Sequence, residues 1–210
     1  MPDGPTGSPL HRHPHLIGAT RFVLGYCLFL SGNFEQADEE LRAASVSGEQ
    51  IGDAELVARC RLHFLPLVWR RRGQVQAVRS VLTGALAQGE KRYTGAIAAQ
   101  RAWVCWRDDK REEAEAAGRA AVEQWQRQRP VYPFQWTGLW LLIALAVNSG
   151  QFALAVDYVR LLLAPTQQRL EDSLLRALEE AVQAWDDGHH ERVRALLQHA
   201  LSLAESMNYL

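Results

Sequence analysis

The chain repeats itself, and a period of about forty residues constrains the fold more than any single motif does. Five segments align: LGYCLFLSGNFEQADEELRAAS from Leu24, LPLVWRRRGQVQAVRSVLTGAL from Leu65, RAWVCWRDDKREEAEAAGRAAV from Arg101, LIALAVNSGQFALAVDYVRLLL from Leu142 and EAVQAWDDGHHERVRALLQHAL from Glu180. Each holds an apolar stripe, a turn centred on Gly32, Gly73, Asp109, Gly150 or Gly188, and a second stripe. Two positions after the turn stand Phe34, Val75, Arg111, Phe152 and His190. Five after it stand Ala37, Val78, Ala114, Ala155 and Val193; nine after it Leu41, Leu82, Gly118, Val159 and Leu197; twelve after it Ala44, Ala85, Ala121, Leu162 and Ala200. Offsets of 5, 9 and 12 share one face of a 3.6-residue helix.

These spacings predict pairs of helices joined by tight turns. A left-handed residue at the turn ends the first helix, which glycine does without strain and aspartate tolerates better than most residues. The small residue five positions on lets the two helices approach closely. First (A) helices are expected over 16–31, 53–72, 93–108, 134–149 and 168–187, and second (B) helices over 34–47, 75–89, 111–128, 152–164 and 190–206. Pro130, Pro133 and Pro165 fall between helices, whereas Pro66 lies inside the second A helix and predicts a kink there or a later start. Residues 1–14, with prolines among small polar residues and histidines, read as a disordered tail. The repeat domain then covers 15–210, its units falling near 16–48, 53–90, 93–129, 134–165 and 168–207.

The pattern resembles the tetratricopeptide repeat, although turn-to-turn spacings of 41, 36, 41 and 38 residues exceed the 34 of the standard unit. The fold class expected is all-α: an α-solenoid of about five antiparallel helix pairs in a tetratricopeptide-like right-handed superhelix. The phrases HLIGATRFVLGYCLFLSGNFEQADEEL, RAWVCWRDDKREEAEAAGRAAVEQW, YPFQWTGLWLLIALAVNSGQFALAV and LLLAPTQQRLEDSLLRALEEAVQAWDDG are similar to a more specific group. They resemble the C-terminal arm of large bacterial regulators, in which a class III adenylate or guanylate cyclase domain, or another output module, precedes an AAA-type signal-transduction ATPase followed by tetratricopeptide-like repeats. The resemblance runs from about residue 15 onward and implies a sensing or scaffolding arm, not a catalyst. It departs from the family in lacking the cyclase and ATPase motifs.

Composition excludes several other readings. With 23 basic and 24 acidic residues the formal charge is −1, so no basic stripe argues for nucleic acid as a partner. The longest apolar run, Leu139 to Val147, is less than half of the roughly 20 residues a membrane-crossing helix needs. The N-terminus has neither the basic nor the apolar region of a secretory signal, and a cytoplasmic chain is expected. Cys27, Cys60 and Cys105 are widely spaced and read as small buried hydrophobes.

No catalytic, cofactor or metal signature stands in the sequence. GALAQGEKR, Gly84 to Arg92, echoes a phosphate loop but has Glu90 where lysine is required and Arg92 where a hydroxyl is. His11, His13 and His15 in HRHPH lack a rigid frame for a metal, and His189–His190 read as a polar turn. Glu112, Glu113 and Glu115 alternate with Lys110, Arg111 and Arg119 as a solvated helix face.

In arrays of this kind the A helices line a concave groove. With the turn residue as position 15, positions 5, 9 and 12 are Phe22, Tyr26 and Phe29; His63, Leu67 and Arg70; Ala99, Trp103 and Trp106; Trp140, Ala144 and Val147; Leu178, Val182 and Trp185. This aromatic, mostly uncharged column fits an apolar or stacking partner better than an acidic peptide terminus. The alternative is that longer helices close the superhelix and bury the same rings as core. Arg70, Arg71, Arg72 and Arg107 form a basic spot that complements helix C-termini, with an anion site as its alternative. Two functions follow as expectations: a non-enzymatic scaffold for a protein or peptide partner, such as an ATPase or cyclase module, or a sensor that binds a small inducer in the groove. An open apolar end after the last B helix would also allow homo-oligomers.

Overall fold

The computed structural model describes residues 14–87, 91, 93–127 and 131–210, and these form helices and no strand. Residues 1–13 of the expected tail, with His11 and His13, most of the QGEKR stretch and Pro130 lie outside the described residues, whereas Pro14, assigned to the tail, begins the first helix. The chain divides into two compact units, Met1–Arg72 and Gly73–Leu210.

The first unit contains α1 (Pro14–Leu30), α2 (Phe34–Ile51), α3 (Ala54–Ala58), a π-helical segment (Arg59–Phe64) and α4 (Leu65–Arg71). The α1–α2 turn is a Schellman motif. Gly32 has φ +81°, its N–H donates to Phe29 O at 3.1 Å, and Asn33 N–H donates to Leu28 O at 2.9 Å. α1 lies along α2, and a Cβ on Gly25 would come within 2.8 Å of Leu41 Cγ, so the absent side chain sets the approach. Asp53 caps α3 by accepting from Leu56 N–H at 2.9 Å.

The distortion expected at Pro66 takes the form of the π segment just before it. Pro66 has no N–H, and its ring would collide with the carbonyl four residues back; widening the turn relieves that collision without ending the helix. Asp38 ties α2 to α4: it accepts from Trp69 Nε1 at 2.7 Å, Arg72 Nη1 at 3.3 Å and Arg42 Nε at 2.9 Å.

The second unit contains α5 (Val75–Ala87), α6 (Thr94–Arg107), α7 (Arg111–Gln126), α8 (Trp136–Asn148), α9 (Phe152–Leu162), α10 (Asp172–Asp186) and α11 (His190–Ser206). Successive helices pack on one another, and α8 also contacts α6 and α11. The residues two places after each turn, Phe34, Val75, Arg111, Phe152 and His190, are the first residues of α2, α5, α7, α9 and α11. The residues five, nine and twelve places after it are all buried.

All five turn residues have positive φ, including Asp109 at +60°. Asp109 is the only one of the five that carries a Cβ, and its carboxylate pairs with Arg111 at 2.7 Å in an exposed position. Such a pair contributes little. Asp109→Gly is therefore expected to stabilise the second unit by roughly 0.5–1 kcal/mol, because relief of the left-handed strain exceeds the lost ion pair and the added chain entropy. Urea titration followed by far-UV circular dichroism measures this; a destabilised variant would mean that the carboxylate, not the backbone, holds the turn.

The proline-flanked connections do more than interrupt helices. Gln167 Nε2 donates to Tyr132 O at 3.1 Å while its Oε1 accepts from Gln135 N–H at 3.1 Å, and Gln168 N–H donates to Pro133 O at 2.8 Å. Gln168 Oε1 also accepts from Trp136 Nε1 at 2.9 Å. The phrases YPFQW and APTQQ are thus two halves of one clamp. It occupies residues that helical periodicity assigned to the last A helix, so α10 starts at Asp172 instead of 168.

Candidate functional site

The predicted groove residues separate by unit. In the first, Phe22 and Tyr26 are half-buried and meet Phe64 edge-on at 5.1 and 5.2 Å, and Phe29 is buried 5.9 Å from Phe34. His63 is buried with its ring 4.3 Å from that of Phe64; burial, aided by the Arg59 charge, pushes its pKa down to about 3, so it is neutral at pH 7. Arg70 and Arg71 are buried as well, and Arg72 is paired with Asp38. The basic spot read from the sequence is therefore not a patch of exposed cations in this unit.

In the second unit Trp106 and Trp185 engage their own turns: the Arg111 guanidinium lies 3.7 Å from the Trp106 ring centre, and His190 lies 4.9 Å from Trp185. Trp140 and Arg107 are different, because both contact one feature, and Trp103 lies beneath Arg107. Trp103 and Trp140 are buried, and Arg107, exposed at the end of α6, sits 5.8 Å over the Trp103 ring.

That feature is the segment after α11. Asn208 takes φ +56°, its N–H donates to Glu205 O at 3.0 Å, and Tyr209 N–H donates to Ala204 O at 2.8 Å. This is the same helix stop that closes the A helices, and it turns the chain back across α8. Asparagine tolerates the conformation, and Gly73 leaves room for it: a Cβ there would sit 3.4 Å from Asn208 Oδ1.

Tyr209 and Leu210 are then 1% and 2% exposed. The Tyr209 ring meets Trp136 edge-on at 4.8 Å and Trp140 at 6.0 Å, and its hydroxyl donates to Glu171 Oε2 at 2.7 Å. Arg107 Nη1 donates to Leu210 O at 3.3 Å. α6, α8 and the residue before α10 thus supply aromatic faces, a carboxylate acceptor and a cationic donor to the segment after the Asn208 stop. What is held there is the chain's own aromatic ring, its hydroxyl and one main-chain oxygen. Trp140 Nε1 is buried and has no hydrogen-bond acceptor among the described residues.

Trp136, Glu171, Tyr209 and Leu210 were not legible as site residues. Trp136 falls one turn before position 5, and Tyr209–Leu210 follow the last repeat, where no periodicity reaches. The available signal was Asn208 two places after the last helix residue, the left-handed stop repeated once more.

Two of the three thiols are buried and held above their ordinary range. Burial pushes the Cys60 thiol up to about 12, and burial together with the Glu113 carboxylate raises Cys105. Cys27, expected to be buried, is exposed, because it shares a face of α1 with the exposed Val23 and Leu30, one turn to either side. His15, His189 and His190 are exposed, and among the described residues no three His, Cys, Asp or Glu side chains are grouped to hold a metal. Among them, too, no helix is long and apolar enough to cross a membrane. A shallow cleft of about 40 Å³ is lined by Glu115, Arg119, Leu142, Ser149 and Tyr158.

Comparison of the chain with protein-family models, with curated proteins and with solved structures finds no match.

Proposed function

We propose that the chain is a non-catalytic helical-repeat scaffold whose A-helix face takes up an extended segment of a partner protein. In this reading the helix pairs form an α-solenoid of about five antiparallel units in a tetratricopeptide-like right-handed superhelix. The observation that carries it is the seat of Tyr209 and Leu210 against Trp136, Trp140, Glu171 and Arg107. Those residues offer aromatic area and directional hydrogen bonds to a strand-like peptide, the combination that dominates protein–protein hot spots. Enclosure of a small inducer has no comparable observation behind it.

Peptide display against the intact chain tests this directly. Selection is expected to enrich segments that pair an aromatic with an aliphatic residue, and Arg107→Glu should weaken their binding at least tenfold. Arg107 is exposed, so the fold tolerates the change. Absence of enrichment, or binding indifferent to Arg107→Glu, would overturn the reading.

The regulatory context is the second part of the proposal: the scaffold acts as the sensing arm of a bacterial signalling ATPase or cyclase. It rests on the phrase resemblance and on the clamp of YPFQW by APTQQ, which gives those phrases a structural reason to occur together. An ATPase or cyclase module should then be encoded in the same or a neighbouring frame, and its nucleotide turnover should change when the arm is added. Unchanged turnover would remove this part and leave the scaffold.

A further inference from the structure

We propose that Asn208–Leu210 is a built-in plug, occupying the groove in which a partner's aromatic–aliphatic segment docks, so that binding requires its release. The inference rests on the scaffold reading above and adds both the regulation of the site and the chemistry of its ligand.

Three observations carry it. The plug lies beyond the end of α11, past a left-handed stop, so it can leave without unwinding any helix. Its side-chain and carbonyl contacts, Tyr209 hydroxyl to Glu171, ring to Trp136 and Trp140, and Leu210 O to Arg107, are ones any peptide of the same chemistry reproduces. Finally, the plug leaves the buried Trp140 Nε1 without an acceptor among the described residues. A buried indole N–H ordinarily has one, and a longer incoming segment brings backbone carbonyls along the same face.

The ligand is therefore a peptide with a tyrosine-like residue, whose ring tip donates to Glu171, followed by an aliphatic residue whose main-chain oxygen accepts from Arg107. Because a competent groove exists only while the plug is out, the apparent affinity of the intact chain is reduced by the open fraction.

The test uses the full chain and a fluorescent, acetylated and amidated peptide of sequence ESMNYL. A chain carrying Tyr209→Ser with Leu210→Ser is expected to bind it at least tenfold more tightly than the unaltered chain, and Arg107→Glu in that background should abolish the gain. Equal affinity with and without the plug, or no binding by the released chain, would overturn the plug while leaving the scaffold to be judged by peptide selection. Hydrogen exchange on the unaltered chain provides a variant-free check. The Tyr209 amide should exchange by local opening, at least a hundredfold faster than the amides of α8. Equal protection would mean that the segment is permanent core, and would overturn the plug equally.

Discussion

Trp103→Ala is expected to lower the unfolding free energy of the second unit by roughly 3–5 kcal/mol, the range for deleting a fully buried tryptophan. Trp103 is 0% exposed in α6, a helix that packs on both α7 and α8, so three helices surround the space that the ring would vacate. Trp106, three residues on, is half-buried and covered chiefly by the Arg111 guanidinium. Trp106→Ala should cost only about 1 kcal/mol, since little area is lost and the cation–π contact is of that order. Urea titrations of the two variants, followed by circular dichroism at constant pH, compare them directly. Equal losses would contradict the assignment of Trp103 to the interior and Trp106 to the turn.

Acid should weaken the first unit through a single histidine. His63 has a folded-state pKa of about 3, set first by burial and then by Arg59, against about 6.5 when unfolded. Between these values the unfolded chain binds a proton that the folded chain excludes. Stability is therefore whole above about pH 6.5 and falls as the pH drops toward 3. The loss is roughly 2 kcal/mol by pH 5 and about 3 kcal/mol by pH 4. His63→Gln removes the titrating group, so the difference in unfolding free energy between pH 7 and pH 5 should shrink by about that first amount. An unchanged difference would show that the acid sensitivity arises elsewhere. The Asp108 carboxylate, held below its usual range by the Arg79 hydrogen bond, loses its contribution only at lower pH, so it does not blur this window.

The helical class and the left-handed turns were legible because their determinants are local. A left-handed residue and the 5, 9 and 12 offsets are properties of a turn and of one helix face, and both survive the replacement of glycine by Asp109. Helix boundaries failed where a side chain found a better partner than the helix offered. Gln167 and Gln168 spend their amides on Tyr132, Gln135 and Trp136, and no periodicity encodes that choice. The aromatic column was legible as a column but not as groove or core, since both place the same rings on the same helix face. At Trp140 the ring is buried, with the Tyr209 ring 6.0 Å away. Cys27 and Leu24, apolar yet exposed on α1, show the limit of reading burial from residue type alone.

In the proposed function a peptide segment binds at Trp136 and Trp140 on the A-helix face of the second unit. The chain has 7 tryptophans, so a sample labelled with ¹⁵N at the indole nitrogens reports on each through its own N–H resonance. Titration with a display-selected peptide to saturation is expected to shift the resonances of Trp136 and Trp140, and that of Trp103 beneath Arg107, while Trp69 in the first unit stays in place. Saturating binding that leaves Trp136 and Trp140 unmoved, or shifts only Trp69 and Trp185, would contradict the account.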